Sequence, residues 1–256
     1  MTAHPASSDP SRRVALITGA AQGIGEAIAQ RLIADGDIAV LLDIAPTVED
    51  TAARIGAADA VRVDIRDIPA LQAAVHDVAT RFGRLDVLVN CAGTCGRESF
   101  EELSPATWQR DIDTNLTAMA FACQAAVFPH MKEQGSGRLV NIASVSGKVG
   151  GIGPVDSAGG GGRSGAAYAS AKAGAINLTR WIARQVGVWG ITANAVAPGP
   201  IASPMAAGAE YGVSRTPIPR MGEPSEVAGA VAYLVGPDSS YTTGTCLHVD
   251  GGYVLA

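Results

Sequence analysis

The sequence predicts an α/β fold: a doubly wound parallel sheet of about seven strands in a single domain. Three observations carry this. Short, near-continuously apolar runs alternate with longer Ala-rich stretches along the whole chain. Strands without polar alternation are buried on both faces, which calls for helices above and below a parallel sheet. A glycine cluster follows the first such run, and neither a linker nor a composition shift divides the 256 residues.

The elements follow in order. Residues 14–18 read as a buried strand, and 24–34 as a helix stopped at Gly36. Residues 38–42 form a second strand closed by Asp43, and 60–64 a third. Ile68, Leu71, Val75, Val78 and Phe82 recur at helical spacing, which predicts a helix over 68–82. A fourth strand spans 85–90. Ser104-Pro105 has the N-cap and N1 chemistry of a helix start, and a long helix is expected to run to about Gln134. A fifth strand is expected over 138–143, a helix over 166–186, a sixth strand over 191–197, a helix over 223–235 and a last strand over 245–249. Residues 149–165 hold 8 glycines in 17 positions, a density that resists regular structure and reads as a surface loop.

Composition narrows the function. Nineteen basic against 24 acidic residues give a net charge of −5, the opposite of the basic footprint of a nucleic-acid binder. With 47% hydrophobic and 17% charged residues the chain can bury a sizeable core, and 5% aromatics make that core aliphatic. Four cysteines, Cys91, Cys95, Cys123 and Cys246, are too few for a disulfide scaffold. Cys91 and Cys95 lack the second pair or nearby His of a zinc site, so free thiols and no metal are expected. Residues 1–12 read as a polar, flexible tail ahead of a domain over 13–256. No apolar run is long enough to span a membrane, so a reducing cytoplasm is the expected setting.

The run Thr18-Gly19-Ala20-Ala21-Gln22-Gly23-Ile24-Gly25 joins the first strand to the first helix. Glycines there let the backbone turn sharply and approach a pyrophosphate, which then meets the free N–H groups of a helix start. The spacing G-x-x-x-G-x-G differs from the usual dinucleotide fingerprint. Asp43 adds weight: at the end of the second strand a carboxylate accepts hydrogen bonds from ribose hydroxyls and repels a 2′-phosphate. Gln22, Ile44 and Ala45 offer no cation to offset it, so NAD(H) is expected over NADP(H). Asp64, followed by Ile65, ends the third strand and could meet the adenine amine or cap the next helix. Asn90, Cys91, Ala92 and Gly93 follow the fourth strand with small side chains that suit close passage of the adenosine half.

Tyr168 and Lys172 lie four apart on one predicted helix and share a face. Ser144 follows the fifth strand, at the carboxyl edge where open α/β sheets bind ligands. Asn115 is a polar residue inside the long predicted helix. A tyrosine is a poor base near neutral pH. A nearby ammonium and a nicotinamide cation favour its phenolate, which can take the proton of an alcohol while hydride leaves the carbinol carbon. A serine hydroxyl beside it can hold the substrate oxygen.

These motifs together resemble the short-chain dehydrogenases/reductases over residues 13–254, adding Pro198-Gly199 and Val249-Asp250-Gly251-Gly252 to those above. The resemblance implies a Rossmann-like sheet and an NAD-dependent enzyme acting on a CH–OH group, interconverting a secondary alcohol and a ketone. It implies Tyr168 as acid/base, Ser144 as partner of the substrate oxygen and Lys172 as binder of the nicotinamide ribose that lowers the tyrosine pKa. It implies Asn115 as anchor of a relay water, and Ile201 and Ser203 as contacts of the nicotinamide carboxamide. It further implies a homotetramer, and the apolar Leu247, Val249, Tyr253, Val254 and Leu255 of the C-terminal stretch suit burial against a partner.

Two departures stand out. Cys91 follows Asn90 where the family commonly has a second Asn. Ser144 and Tyr168 stand 24 apart, wider than the family's usual spacing, and the excess falls in the glycine-rich 149–165. That insertion is expected to overlie the substrate as a lid or specificity loop. Residues 202–221 should form the opposite pocket wall, with Met205 and Tyr211 as lining and Arg215 and Arg220 as cations. A neutral ketone, a carboxylate, a sugar acid and an acyl-carrier phosphopantetheine all stay open as substrates. The competing functions are a 3-oxoacyl-[acyl-carrier-protein] reductase, a sugar or polyol dehydrogenase and, remotely, a non-catalytic dinucleotide sensor.

Overall fold

Along the central strands, neighbouring residues serve opposite layers of the molecule, as period-two geometry requires. The computed structural model describes residues 12–151, 164–207 and 211–255, the Arg215 side chain excepted. Its strands are β1 (Val14–Thr18), β2 (Ile38–Asp43), β3 (Asp59–Arg62), β4 (Val87–Asn90), β5 (Gly137–Ile142), β6 (Ile191–Pro198) and β7 (Cys246–Val249). All pair in parallel in the order β3-β2-β1-β4-β5-β6-β7, the seven-stranded sheet predicted. The helices are α1 (Gly23–Ala34), α2 (Val48–Ile55), α3 (Ile68–Phe82), α4 (Pro105–Ile112), α5 (Ala118–Ala126), α6 (Lys132–Gln134), α7 (Ser146–Val149), α8 (Ala166–Val186) and α9 (Pro224–Val235).

Leu16, Val40, Leu88 and Leu139 point into one apolar layer with Leu71 and Val75 of α3, Ala122 of α5 and Ile182 of α8. Their chain neighbours Ile17, Leu41, Val89 and Val140 point into the other, with Ile28 and Leu32 of α1 and Val227 and Val231 of α9. Fully burying each such side chain contributes on the order of 1.5–3 kcal/mol. Leu247 and Val249 also pack against this second layer. Both stay only partly buried there, and Leu255 is 82% exposed.

Boundary chemistry is local. The Ser104 hydroxyl accepts the Thr107 N–H at 3.1 Å with Pro105 following, so α4 begins where predicted. Glu223 and Glu226 form a reciprocal capping box on α9. The expected continuous helix over 105–134 is broken twice, by π-helical turns at Asp113–Thr117 and Val127–Met131. In the second, Phe128 has φ −113° and ψ 117°, because the ring of the following Pro129 disfavours the helical region for the residue before it. The short helices α2 and α7 were not expected. In α2 only Val48, Thr51 and Ala52 are buried, a stripe too brief to read as periodic. The third strand ends at Arg62, so Asp64 stands in the loop beyond it.

The carboxyl ends of β1, β4, β5 and β6 lie along one edge, and the strand order reverses between β1 and β4. That is where ligands bind in open α/β sheets. Most of the glycine-rich 149–165, with its reading as a lid, and the tail over residues 1–11 lie outside the described residues. No helix among the described residues is long and apolar enough to cross a membrane.

Candidate active site

A cleft of about 610 Å³ follows that edge. Its floor is the turn from β1 into α1, drawn tight by the absence of side chains. A Cβ on Gly19 (φ +68°) would lie 2.6 Å from the Ala92 Cα, and one on Gly25 would lie 2.1 Å from the Gly19 carbonyl oxygen. The Thr18 hydroxyl accepts the Cys91 and Ala92 N–H groups at 3.0 and 3.2 Å, fastening the segment after β4 to the end of β1. No side chain caps α1 at Gln22. Its first N–H groups are thus left for an anion, which fits a dinucleotide pyrophosphate. Gly19, Gln22, Gly23, Ile24 and Gly25 all line the cleft.

Asp43 also lines it. Its two carboxylate oxygens accept the Ala21 N–H at 3.0 Å and the Ala45 N–H at 2.9 Å, so one residue braces the glycine turn and the end of β2 together. Each oxygen keeps a further lone pair. Asp64 and Ile65 stand beyond. Of the two readings of Asp64, capping is excluded: the cap of α3 is Asp67, whose carboxylate accepts the Ala70 N–H at 3.1 Å. Asp64 is instead forked by the Arg66 guanidinium, with a closest approach of 2.6 Å, which holds its carboxyl below the usual range. Sequence reasoning missed Arg66, which lines the cleft, and Arg62, whose Nε donates to the Ile44 carbonyl at 3.3 Å. Arg62 pairs with Asp43 across β2 and β3, a neighbour no reading along the chain reveals.

At the other end, Ser144, Tyr168, Lys172 and Asn115 converge. The Ser144 hydroxyl accepts the Ser146 N–H at 3.1 Å and hydrogen-bonds the Tyr168 hydroxyl. The Lys172 ammonium donates to the Ile142 carbonyl at 2.7 Å and lies 5.6 Å from the centre of the Tyr168 ring. Burial lowers the Lys172 pKa to about 8, against the opposing pull of Cys91, Cys95 and Asp111. Among the protein groups alone the tyrosine's pKa moves up. Burial pushes its phenol up, Cys95 adds to the rise, and the Ser144 hydrogen bond pulls only weakly the other way. The lowering expected from the sequence includes the nicotinamide cation beside the ammonium, and the protein groups by themselves push the phenol up.

Asn115 sits on the first π-helical turn and is fully buried. Its amide nitrogen donates to the Asp111 carbonyl at 2.9 Å and the Thr94 carbonyl at 2.8 Å. Its oxygen is buried without a hydrogen-bond partner among the described residues. Glycine at position 93 leaves that oxygen open: a Cβ there would come within 2.7 Å of it and 3.7 Å of the Lys172 ammonium.

Asn90 is a correction. It does not line the cleft. It is buried behind it, its amide donating to the Asn141 side-chain oxygen at 2.9 Å, and Asn141 donates in turn to the Thr179 hydroxyl at 2.9 Å. This polar chain ties β4 and β5 to α8. Ala92, Gly93, Pro198, Gly199, Ile201 and Ser203 line the cleft as expected, as do Met205 and Tyr211 of the anticipated wall. Arg220 does not; its guanidinium is forked by Glu226, 2.8 Å away. Among the described residues, Arg97 and Arg110 join Lys172 as lining cations at this end, and both were missed because nothing marks them in the sequence.

Asp111 ties this end together. It is fully buried, and its carboxylate accepts the Thr94 hydroxyl at 2.8 Å, the Gly96 N–H at 2.7 Å and the Arg110 guanidinium at 3.0 Å. Gly96 in turn accepts the Gly165 N–H at 2.7 Å, at the start of the helix that carries Tyr168. Asp111→Ala strands the half-buried Thr94 hydroxyl and the buried Gly96 N–H. It is expected to lower the unfolding free energy by about 2–4 kcal/mol in urea denaturation. An unchanged midpoint would show that the network carries no stability.

Comparison with known proteins agrees with this geometry. A family model described as enoyl-(acyl carrier protein) reductase matches residues 19–254. The chain is 38% identical to cis-4-hydroxycyclohexanecarboxylate dehydrogenase of Sinomonas cyclohexanicum, covering 95% of this chain and 97% of the relative. It is 37% identical to a 3-oxoacyl-[acyl-carrier-protein] reductase of Synechocystis sp., with the same coverage. Among solved structures, a blue fluorescent protein from a metagenomic library, in complex with NADPH, matches with a TM-score of 0.85 and 34% identity over 95% of this chain and 98% of that one. With the parallel sheet, the uncapped glycine turn and the convergence at Tyr168, these matches establish that the chain belongs to the short-chain dehydrogenase/reductase family of oxidoreductases.

Proposed function

We propose that the protein is an NAD(H)-dependent oxidoreductase that interconverts a secondary alcohol and a ketone, with Tyr168 as its acid/base. The observation that carries this reading is the convergence of Tyr168, Ser144, Lys172 and Asn115 at the carboxyl edge of β5, in one cleft with the glycine turn. A bound nicotinamide supplies the hydride acceptor or donor. The Ser144 hydroxyl holds the substrate oxygen next to the Tyr168 hydroxyl, which takes the alcohol's proton in oxidation and returns it in reduction. Lys172 holds a positive charge beneath the tyrosine ring and favours its anion. The buried Asn115 oxygen, close to that ammonium, suits a relay water that carries the proton onward. Pro198, Gly199, Ile201 and Ser203 would wall the nicotinamide end, and Ala92 and Gly93 the middle, a reading supported by their all lining the one cleft.

NAD is favoured because Asp43 faces the cleft while the nearest lining cation, Arg66, is neutralised by Asp64. The alternative 3-oxoacyl thioester reductase is supported by the Synechocystis relative and tested with acetoacetyl-CoA. The implied homotetramer would cover Trp108, Phe121 and Trp181, apolar side chains exposed on α4, α5 and α8. A cytoplasmic setting suits four cysteines that form no disulfide.

Initial rates with NAD+ and NADP+ across secondary alcohols, hydroxy acids and polyols test the reading. Tyr168→Phe is expected to lower kcat about 10²–10⁴-fold while NADH still binds, as seen by fluorescence. Wild-type rates in the variant would remove the tyrosine from the chemistry. Oxidation needs a proton acceptor and reduction a proton donor at Tyr168, so kcat/KM for oxidation should rise with pH and that for ketone reduction should fall. Parallel profiles in the two directions would contradict this. Asp43→Ser removes the charge that repels a 2′-phosphate. It is expected to raise the NADP+ to NAD+ ratio of kcat/KM by at least about tenfold, and an unmoved ratio would show that another group sets cofactor choice.

A further inference from the structure

We propose that Arg97 receives a carboxylate on the substrate, so that the preferred reaction interconverts a hydroxy acid and its keto acid. This rests on the dehydrogenase reading above. The charge pattern of the cleft leads to it. Its acidic lining residues among those described, Asp43 and Asp64, both stand at the adenosine end. The substrate end holds Lys172, Arg97 and Arg110 and no described acid among its lining. Arg110 is balanced by the buried Asp111. Lys172 is engaged beneath Tyr168 by the Ile142 carbonyl. Arg97 makes no ion pair among the described residues.

Its placement is firm. Gly96 is held from one side by Asp111 and from the other by Gly165, and a Cβ on Gly165 would lie 2.8 Å from the Gly96 carbonyl oxygen. Arg97 is therefore fixed next to the start of the helix that carries Tyr168 three residues further on. The Cys95 thiol lies within electrostatic reach of both Arg97 and Lys172. From this base the Arg97 Nη2 reaches the Met205 carbonyl at 2.7 Å, on the opposite wall. A guanidinium has five N–H donors in a planar fork, and this bond uses one. A half-buried cation without a counter-charge has lost part of its hydration. A carboxylate seated on the remaining donors restores it through charge-assisted, paired hydrogen bonds. A neutral ketone would leave that charge unanswered.

The test compares wild type, Arg97→Gln and Arg97→Lys in the full chain. The probes are cis- and trans-4-hydroxycyclohexanecarboxylate and their carboxamides, with kcat and KM measured in parallel. Wild type is expected to favour the acid at least about tenfold in kcat/KM. Arg97→Gln should reduce the acid-to-amide ratio about tenfold or more, chiefly through KM, and Arg97→Lys should recover part of it. A parallel fall for acid and amide would mean that Arg97 only holds the Met205 wall and would overturn the proposal, as would a wild type indifferent to the charge. A better rate with acetoacetyl-CoA, and an Arg97→Gln loss confined to that thioester, would also overturn it. Calorimetric titration of NAD+-loaded protein with cyclohexanecarboxylate, which has no hydroxyl to oxidise, reads binding without turnover. Binding about tenfold weaker in Arg97→Gln supports the proposal; equal or undetectable binding rejects it. Arg97-dependent binding without turnover of any alcohol would defeat the dehydrogenase reading and leave the carboxylate site standing. Charge-blind turnover would do the reverse.

Discussion

A sheet covered by helices on both faces has only its edges left for a ligand, and that constraint organises this molecule. Side chains from β1, β2, β4 and β5 are spent alternately on two apolar layers, so none of their central positions can hold chemistry. Polar work is pushed to the loops beyond the strand ends, and parallel pairing gathers those loops on one side. Thr18, Asp43 and Ser144 come from distant parts of the chain, yet all act at that edge. Each also braces backbone: Thr18 holds the turn after β4, Asp43 the glycine turn, and Ser144 the start of α7.

Burying charge beside such a core demands compensation. The Lys172 ammonium is met by a strand-end carbonyl and Asp111 by three donors. Asn115 is satisfied through its nitrogen but not its oxygen. Behind them Asn90, Asn141 and Thr179 form a chain of side-chain hydrogen bonds set back from the cleft. Two kinds of buried amide thus lie close together. One is consumed by the scaffold, and the other keeps an unpartnered acceptor beside Gly93, on the Lys172 side of the cleft.

The fold was legible because its signals are local. Apolar runs, the glycine turn and the Ser104-Pro105 and Glu223 helix starts each act within a few residues of themselves. The spacing of Tyr168 and Lys172 survives because α8 is one unbroken helix. Signals that depend on lateral neighbours were not legible. Arg62 meets Asp43 only across two strands, Arg97 meets Met205 only across the cleft, and Asn90 turns inward because Asn141 is its lateral partner. A spacing of four likewise shows that an ammonium is near the tyrosine but not how far enclosure opposes it.

The π-helical turn beneath Asn115 has a consequence for how this chain tolerates change in length. One residue more than an α-helix needs is accommodated there, and each residue rotates a helix by about 100°. The faces of α4 and α5 are therefore out of phase, and Asn115 occupies the step between them. Loss of one residue from 113–117 would heal the helix and keep its hydrogen bonds. The same loss would swing the amide away from Thr94 and Gly93. At this place a regular helix and the observed seat of Asn115 beside Thr94 and Gly93 exclude each other.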